Sequence, residues 1–231
     1  GDAEKPHVAF HRYYDMENIR NFPTVFTDGE EIVCTEKIHG GNLRPGLIRD
    51  TNDKGVAVWK WMAGTHDVRR KQFFFKKNTD GEIVGDPIPS IPWLCFDTSI
   101  RGALASASKC GYTPEELDAE PPVKGGEDEV NVVMFLERSG AGVQDMAYGH
   151  ENGKFSTRAF DLTVNGKYVN YDDKNLVFDR FGVERVPEVY RGPYSFAKIE
   201  ELTEGPTLVT DKAKKNFREG IVVLAVEERA V

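Results

Sequence analysis

Apolar and polar positions change period several times along the chain, and each change predicts an element. Glu31 to Ile38, Val56 to Ala63 and Lys71 to Lys77 are rich in β-branched and aromatic residues and are separated by Gly, Asp and Asn, which predicts strands of an antiparallel sheet. Between Asp97 and Lys109 the period lengthens: Ile100, Ala103, Leu104 and Ala107 fall at i, i+3, i+4 and i+7, one face of a helix, with Asp97 as N-cap and Gly111 as terminator. Val130 to Glu137 is a nearly continuous apolar strand, and Arg158 to Val169 folds back through Asn165-Gly166, a two-residue hairpin signal. Asp172 to Phe181 reads as a helix stopped by Gly182, Phe196 to Leu202 as a short helix, and Gly220 to Val226 as a closing strand. Strand-rich blocks with scattered helices and no regular strand–helix alternation predict an α+β fold of antiparallel sheets flanked by helices. No repeat or linker interrupts residues 1–231, so one domain is expected.

Composition narrows the classes. With 231 residues, 39% apolar and 29% charged, the chain has the make-up of a globular protein with one full-sized core. Its longest apolar run, Ile221 to Val226, is too short to span a bilayer, and no membrane association is expected. The N-terminus lacks the apolar region of a secretory signal and reads as a processed start. Cys34, Cys95 and Cys110 are an odd set without a CxxC pair, which predicts neither disulfides nor a zinc site and implies a reducing, cytoplasmic compartment. The net charge of −8 argues against a simple basic wrapper of nucleic acid. Most of that charge lies in Glu115 to Glu129, where seven acids face one lysine, Lys124, in a stretch that reads as an exposed loop opening on a short helical turn.

Three segments carry candidate chemistry. In Cys34 to Asn42 (CTEKIHGGN) a strand runs into a His-Gly-Gly turn, and strand geometry sends Glu36 and Lys37 to opposite faces, one into the sheet and one toward a cleft. A lysine at a strand lip beside glycines suits a nucleophile near phosphate; it equally suits an exposed strand-end lysine before a turn. Phe135 to Asp145 (FLERSGAGVQD) is an apolar strand that ends on Glu137 and enters a glycine loop. Arg218 to Val223 places Glu219 at the edge of another apolar strand. Carboxylates at buried strand ends need solvent, an arginine partner or a divalent cation with phosphate. Phe160, before Asp161-Leu162, suits either core or a purine stack.

Together these segments resemble the ATP-dependent RNA ligases of the covalent nucleotidyltransferase superfamily. Glu36 to Asn42 is similar to motif I in its KxHGxN form, Phe135 to Tyr148 to motif III with its Gly-Val-Gln tail at Gln144, Phe160 to Leu162 to motif IIIa, and Glu219 to Val222 to motif IV. The resemblance runs from about Met16 to the C-terminus. It implies a nucleotidyltransferase (adenylation) domain in which Lys37 attacks the α-phosphate of ATP, releasing pyrophosphate. The AMP then passes to an RNA 5′-phosphate, and a 3′-OH displaces it to seal the strand. A lysine at its reference pKa is neutral in on the order of one molecule per thousand at pH 7, so such a site must help remove the proton. The resemblance further implies that Glu137 and Glu219 hold Mg²⁺ or Mn²⁺ and that Asn42 orients a metal-bound water or phosphate. His39 would support phosphate chemistry, Phe160 would stack on adenine, and Glu36 and Ile38 would lie beside the nucleotide. In the motif Ia region, Met62 to Arg70, Thr65 and Arg70 are the candidates for ribose or 5′-phosphate contact. The Arg69 to Phe75 stretch, basic residues leading into aromatics, also suits an RNA strand.

Three departures from the family pattern stand out. Gly41 occupies a position often filled by Thr, and Leu136 one often filled by Gly. The lysine-bearing motif V is expected soon after motif IV, yet Leu224 to Val231 holds no lysine, and Lys212, Lys214 and Lys215 precede motif IV. The expectation is therefore an adenylyltransferase core ending before motif V, monomeric and without an appended domain. Its rivals are a DNA ligase or GTP-dependent guanylyltransferase, and a non-catalytic nucleotide- or RNA-end-binding module.

Overall fold

The computed structural model describes residues 1–143, 148–151, 153–209 and 217–229. Among the described residues, fifteen elements of regular strand or α-helix carry the fold. In chain order they open with β1 (Glu31–Lys37), β2 (Gly41–Thr51), β3 (Ala57–Thr65), β4 (Arg69–Arg70), β5 (Phe73–Lys77) and β6 (Ile83–Pro89). Helices α1 (Thr98–Ser108) and α2 (Pro114–Leu117) come next, before β7 (Val132–Gly140), β8 (Phe155–Val164) and β9 (Lys167–Tyr168). The remainder is α3 (Tyr171–Phe181), β10 (Glu188–Pro193), α4 (Phe196–Thr203) and β11 (Gly220–Ala225). A six-stranded antiparallel sheet has the order β4-β3-β2-β7-β8-β9, a three-stranded sheet the order β10-β1-β11, and β5-β6 stand apart as a two-stranded ribbon. The α+β class read from the sequence is the observed one.

Alternation along β7 explains why its first five residues, Val132 to Leu136, are all apolar. Val132, Met134 and Leu136 face the helices, packing with Leu43, Leu47, Ile100, Leu104 and Phe178, whereas Val133 and Phe135 face the N-terminal segment with Phe10, Tyr13 and Met62. A strand covered on both faces needs apolar residues at every position. Glu137 continues the second face, and Asn42 lies directly opposite it on β2.

Strand β2 was hidden by Pro45 and Gly46, residues that argue against a central strand. Its ladder to β7 is recorded at Gly41 to Leu43 and again at Gly46 and Leu47, so Pro45 falls between the two paired stretches. Gly46 is required by space, since a Cβ there would lie 2.9 Å from the Phe10 ring. Strands β6 and β10, rich in Gly and Pro, escaped the periodicity for the same reason. Helix α1 is capped by the Asp97 carboxylate, which accepts from the Ile100 N–H at 2.8 Å, but it ends earlier than Gly111 because Lys109 takes the left-handed conformation (φ 54°). Asn165 and Gly166 both have positive φ, as a tight hairpin demands. All three cysteines are buried and free. No helix among the described residues is long and apolar enough to cross a membrane.

Candidate active site

The site begins with the alternation of β1. Glu36 is fully buried and accepts hydrogen bonds from the Thr207 hydroxyl and, at 2.6 Å, the Leu208 N–H, which ties β1 to the segment after α4. Lys37, one residue on, emerges at the end of the strand with its side chain half exposed. There it meets a cavity of about 310 Å³. This is the division of labour that strand geometry predicts for the pair.

The cavity has two chemically different ends. Its polar end holds Lys37, His39, Glu137 and Glu219. The Lys37 ammonium donates to Glu219 Oε1, and His39 Nδ1 lies 3.3 Å from Glu219 Oε2. Lys37 pairs in register with Gly220 of β11, which is what brings Glu219 beside it. Upstream, Arg218 fixes this approach by donating to the Leu202 and Glu204 carbonyls. The apolar end is formed by Ile38, Val186, Val222, Leu224, Phe160 and Tyr13.

The turn after β1 is built by close approach. A Cβ on Gly40 would lie 2.3 Å from the Arg138 carbonyl oxygen and 2.8 Å from Glu137 Oε1, so only glycine lets the turn pass across the end of β7. Gly41 has no such constraint, the nearest atom to a Cβ there being Val143 Cγ1 at 3.9 Å, which accounts for a position that admits a larger residue. The His39 N–H donates to the Tyr148 hydroxyl at 2.8 Å and so anchors the turn from the far side.

Electrostatics make the polar end a candidate cation site. Burial pushes the Glu137 carboxyl up to about 7; the Lys37 ammonium partly offsets this and the negative Glu219 adds to it. Asn42 Oδ1 is buried without a hydrogen-bond partner, on the same sheet face as Glu137. Two carboxylates and an orphaned amide oxygen form an oxygen-rich donor set that a hard divalent cation fits. No three His, Cys, Asp or Glu side chains converge as a closed cage among the described residues.

Phe160 owes its place to a β-bulge. Phe135 pairs with Asp161 and Leu136 with Ala159, so Phe160 is the extra residue, and both Phe160 and Asp161 turn to the face of the N-terminal segment. There Phe160 lines the cavity with Tyr13 edge-on at 5.1 Å, and Asp161 accepts from the Tyr13 hydroxyl at 2.9 Å.

Of the residues expected from sequence, Glu36, Lys37, Ile38, His39, Glu137, Phe160 and Glu219 line this one cavity, and Asn42 stands across from Glu137. Thr65 and Arg70 do not line it. The Thr65 carbonyl accepts from Arg44 Nε at 2.7 Å, and Arg70 is ion-paired to Asp2 at 2.6 Å. Gln144, Lys212, Lys214 and Lys215 lie outside the described residues. Sequence reasoning missed Tyr13, Met16 and Tyr148. Tyr13 and Met16 precede the first strand and belong to no periodic element, and their only signal is the local density of aromatics in Phe10 to Tyr14.

The RNA ligase family model matches residues 30–231. Among solved structures, a mutant of Naegleria gruberi RNA ligase with ATP and Mn superposes with a TM-score of 0.63 at 14% identity, covering 98% of this chain and 56% of that one. The Naegleria gruberi ligase with PPi gives a TM-score of 0.58, again at 14% identity, over 97% of this chain and 55% of that one. A further mutant of it with AMP and Mn gives 0.59 with the same identity and the same coverage of both chains. The chain thus spans little more than half the length of these ligases. No curated protein sequence matches it.

Proposed function

The chain belongs to the RNA ligase family, and from that membership we propose that it is the adenylyltransferase domain of an ATP-dependent RNA ligase, with Lys37 as the nucleophile. One observation carries the reading: a lysine held by a carboxylate at the polar end of a cavity whose apolar end is walled by a bulge-presented phenylalanine. A purine suits the apolar end and a phosphate chain the polar one. The solved ligases, described with ATP and Mn, with PPi and with AMP and Mn, support this assignment of ligands.

In the reaction the Lys37 nitrogen forms a bond to the α-phosphorus of ATP while the bond to pyrophosphate breaks and pyrophosphate leaves. The ammonium proton must go first, and Glu219, already in contact with it, is placed to receive it. His39 holds Glu219 from its other oxygen. Phe160 and Tyr13 exclude water from the base end and orient the purine. A divalent cation, when bound, would neutralise phosphate charge and favour the neutral amine, with Glu137 and Glu219 holding it largely through water and Asn42 orienting one such water. AMP then transfers to an RNA 5′-phosphate, and a 3′-OH completes sealing.

The test is covalent label. Incubation with α-labelled ATP and Mg²⁺ or Mn²⁺ should label the wild-type protein and leave Lys37→Ala unlabelled; failure of the wild type to take label with either metal would overturn the assignment. Competition by GTP equal to that by ATP would favour a guanylyltransferase, and sealing of DNA nicks as well as RNA a DNA ligase.

A further inference from the structure

The β5-β6 ribbon takes no part in the site, and its make-up is unusual for a surface hairpin. It forms its own sheet, with Phe73 opposite Pro89 and Phe74 opposite Ile88. Phe74 and Ile88 are half-buried and make the inner face. Phe73 and Phe75 are 47% and 48% exposed and lie on the outer face; the pairing slips register between Phe74 and Lys76, so exposure rather than strict alternation places Phe75 there. The Lys71 to Lys77 segment, KQFFFKK, holds three lysines and no acid, so the basic charge lies on β5, while the turn and β6 carry Asp80, Glu82 and Asp86. None of the three lysines has an acidic partner among the described residues, although the preceding arginines are both ion-paired, Arg69 to Glu4 and Arg70 to Asp2. A lone two-stranded ribbon is marginal in water, so two outward phenyl rings are a cost that a ligand covering them removes.

The ribbon is also near the chemistry. It leaves the six-stranded sheet at Arg70, opposite Ala63, which is itself opposite Pro45, three residues from Asn42. Two strand spacings and three residue rises place Arg70 roughly 14 Å from Asn42.

We propose that the outer face of the β5-β6 ribbon binds unpaired RNA next to the end being joined, with Phe73 and Phe75 stacking on bases and Lys71, Lys76 and Lys77 contacting the phosphate backbone. Unpaired nucleotides are the occupant because exposed aromatic rings reach bases only when those are not stacked in a duplex. Free lysines flanking the rings match the charge of such a strand. This inference rests on the RNA ligase reading and adds a preference for single-stranded flanks.

The experiment compares the wild type, Phe73→Ala/Phe75→Ala, and Lys71→Ala/Lys76→Ala/Lys77→Ala. A 5′-phosphorylated single-stranded RNA oligonucleotide and a nicked RNA duplex serve as probes, and label from ATP is followed in parallel. The aromatic variant should lose about fivefold or more in affinity for the single strand. The lysine variant should lower the slope of log K against log salt by about 2. Both should bind the nicked duplex nearly as the wild type does. Unchanged single-strand affinity and slope in both variants would overturn the proposal. So would losses confined to binding of phosphatidylserine vesicles, which would make the ribbon a lipid contact. Absence of label in all three proteins would instead count against the adenylyltransferase reading, whatever the RNA binding.

Discussion

Lys174 donates to Asp161, the neighbour of Phe160 in the bulge, at 2.9 Å with both side chains at most 2% exposed. The Tyr13 hydroxyl completes the coordination of that carboxylate. A buried ion pair of this kind adds little net stability compared with an apolar pair, but breaking it leaves a charge stranded in the interior. Lys174→Met should therefore cost about 3–5 kcal/mol in denaturant unfolding, and adding Asp161→Asn to it should recover part of the loss.

Tyr13 joins the base end of the cavity to that buried pair. Tyr13→Phe removes one hydrogen bond to a charged group and should cost about 1.5–3 kcal/mol of stability while leaving the KM for ATP nearly unchanged, since the ring remains. Tyr13→Ala should raise that KM severalfold. Steady-state label incorporation and a denaturation curve on each variant separate the two effects.

The two glycines of the turn predict opposite outcomes. Gly40→Ala drives a methyl group into the Arg138 carbonyl and Glu137 Oε1, so adenylylation should fall by at least about tenfold as Glu137 is displaced. Gly41→Ala meets only ordinary contact and should stay within about twofold of the wild type. The rate of label incorporation at saturating ATP checks both.

Glu137 makes the nucleotide-free protein less stable as pH rises. Its carboxyl titrates near 4.5 when unfolded and about 7 when folded, so between those values the folded state binds more protons and stability falls with increasing pH. The contribution is on the order of 3 kcal/mol across that window, and it is complete above pH 7. Glu137→Gln should flatten the dependence in urea titrations from pH 5 to pH 7.

Metal binding should be coupled to the same proton. At pH 6 Glu137 is mostly protonated, and a cation that requires the carboxylate must expel about one proton; at pH 8 it expels almost none. Calorimetry of Mn²⁺ binding in two buffers of different ionisation enthalpy reads this directly. Glu137→Gln should abolish the release at pH 6.

Much of this site is written in short-range sequence because its residues sit at strand ends. Alternation sends Glu36 and Lys37 to opposite faces, while the resemblance singles out Lys37 as the one toward the cleft, and Gly40 follows from its place in a turn after a strand. Phe160 could be named as an aromatic in a strand, but its face could not, because the bulge that turns it is a property of the pairing between β7 and β8. Tyr13 was illegible for a related reason: its partner, Asp161, is 148 positions away, and no local pattern encodes such a contact. Strands β2 and β6 show the opposite failure, local signals from proline and glycine that the tertiary structure overrides.

The strand that carries Lys37, the proposed nucleophile, precedes in the chain both of the strands it lies between, β10 and β11, and Lys37 and Glu219 are 182 positions apart. Closing so long a loop is slow, so the six-stranded sheet has a kinetic head start over its three-stranded neighbour. A nascent chain that has emerged only through β9 already carries Lys37 but neither of the strands that flank it nor Glu219. The order of translation thus makes assembly of the Lys37–Glu219 pair a late event, which separates the birth of the fold from the birth of the site proposed to do its chemistry.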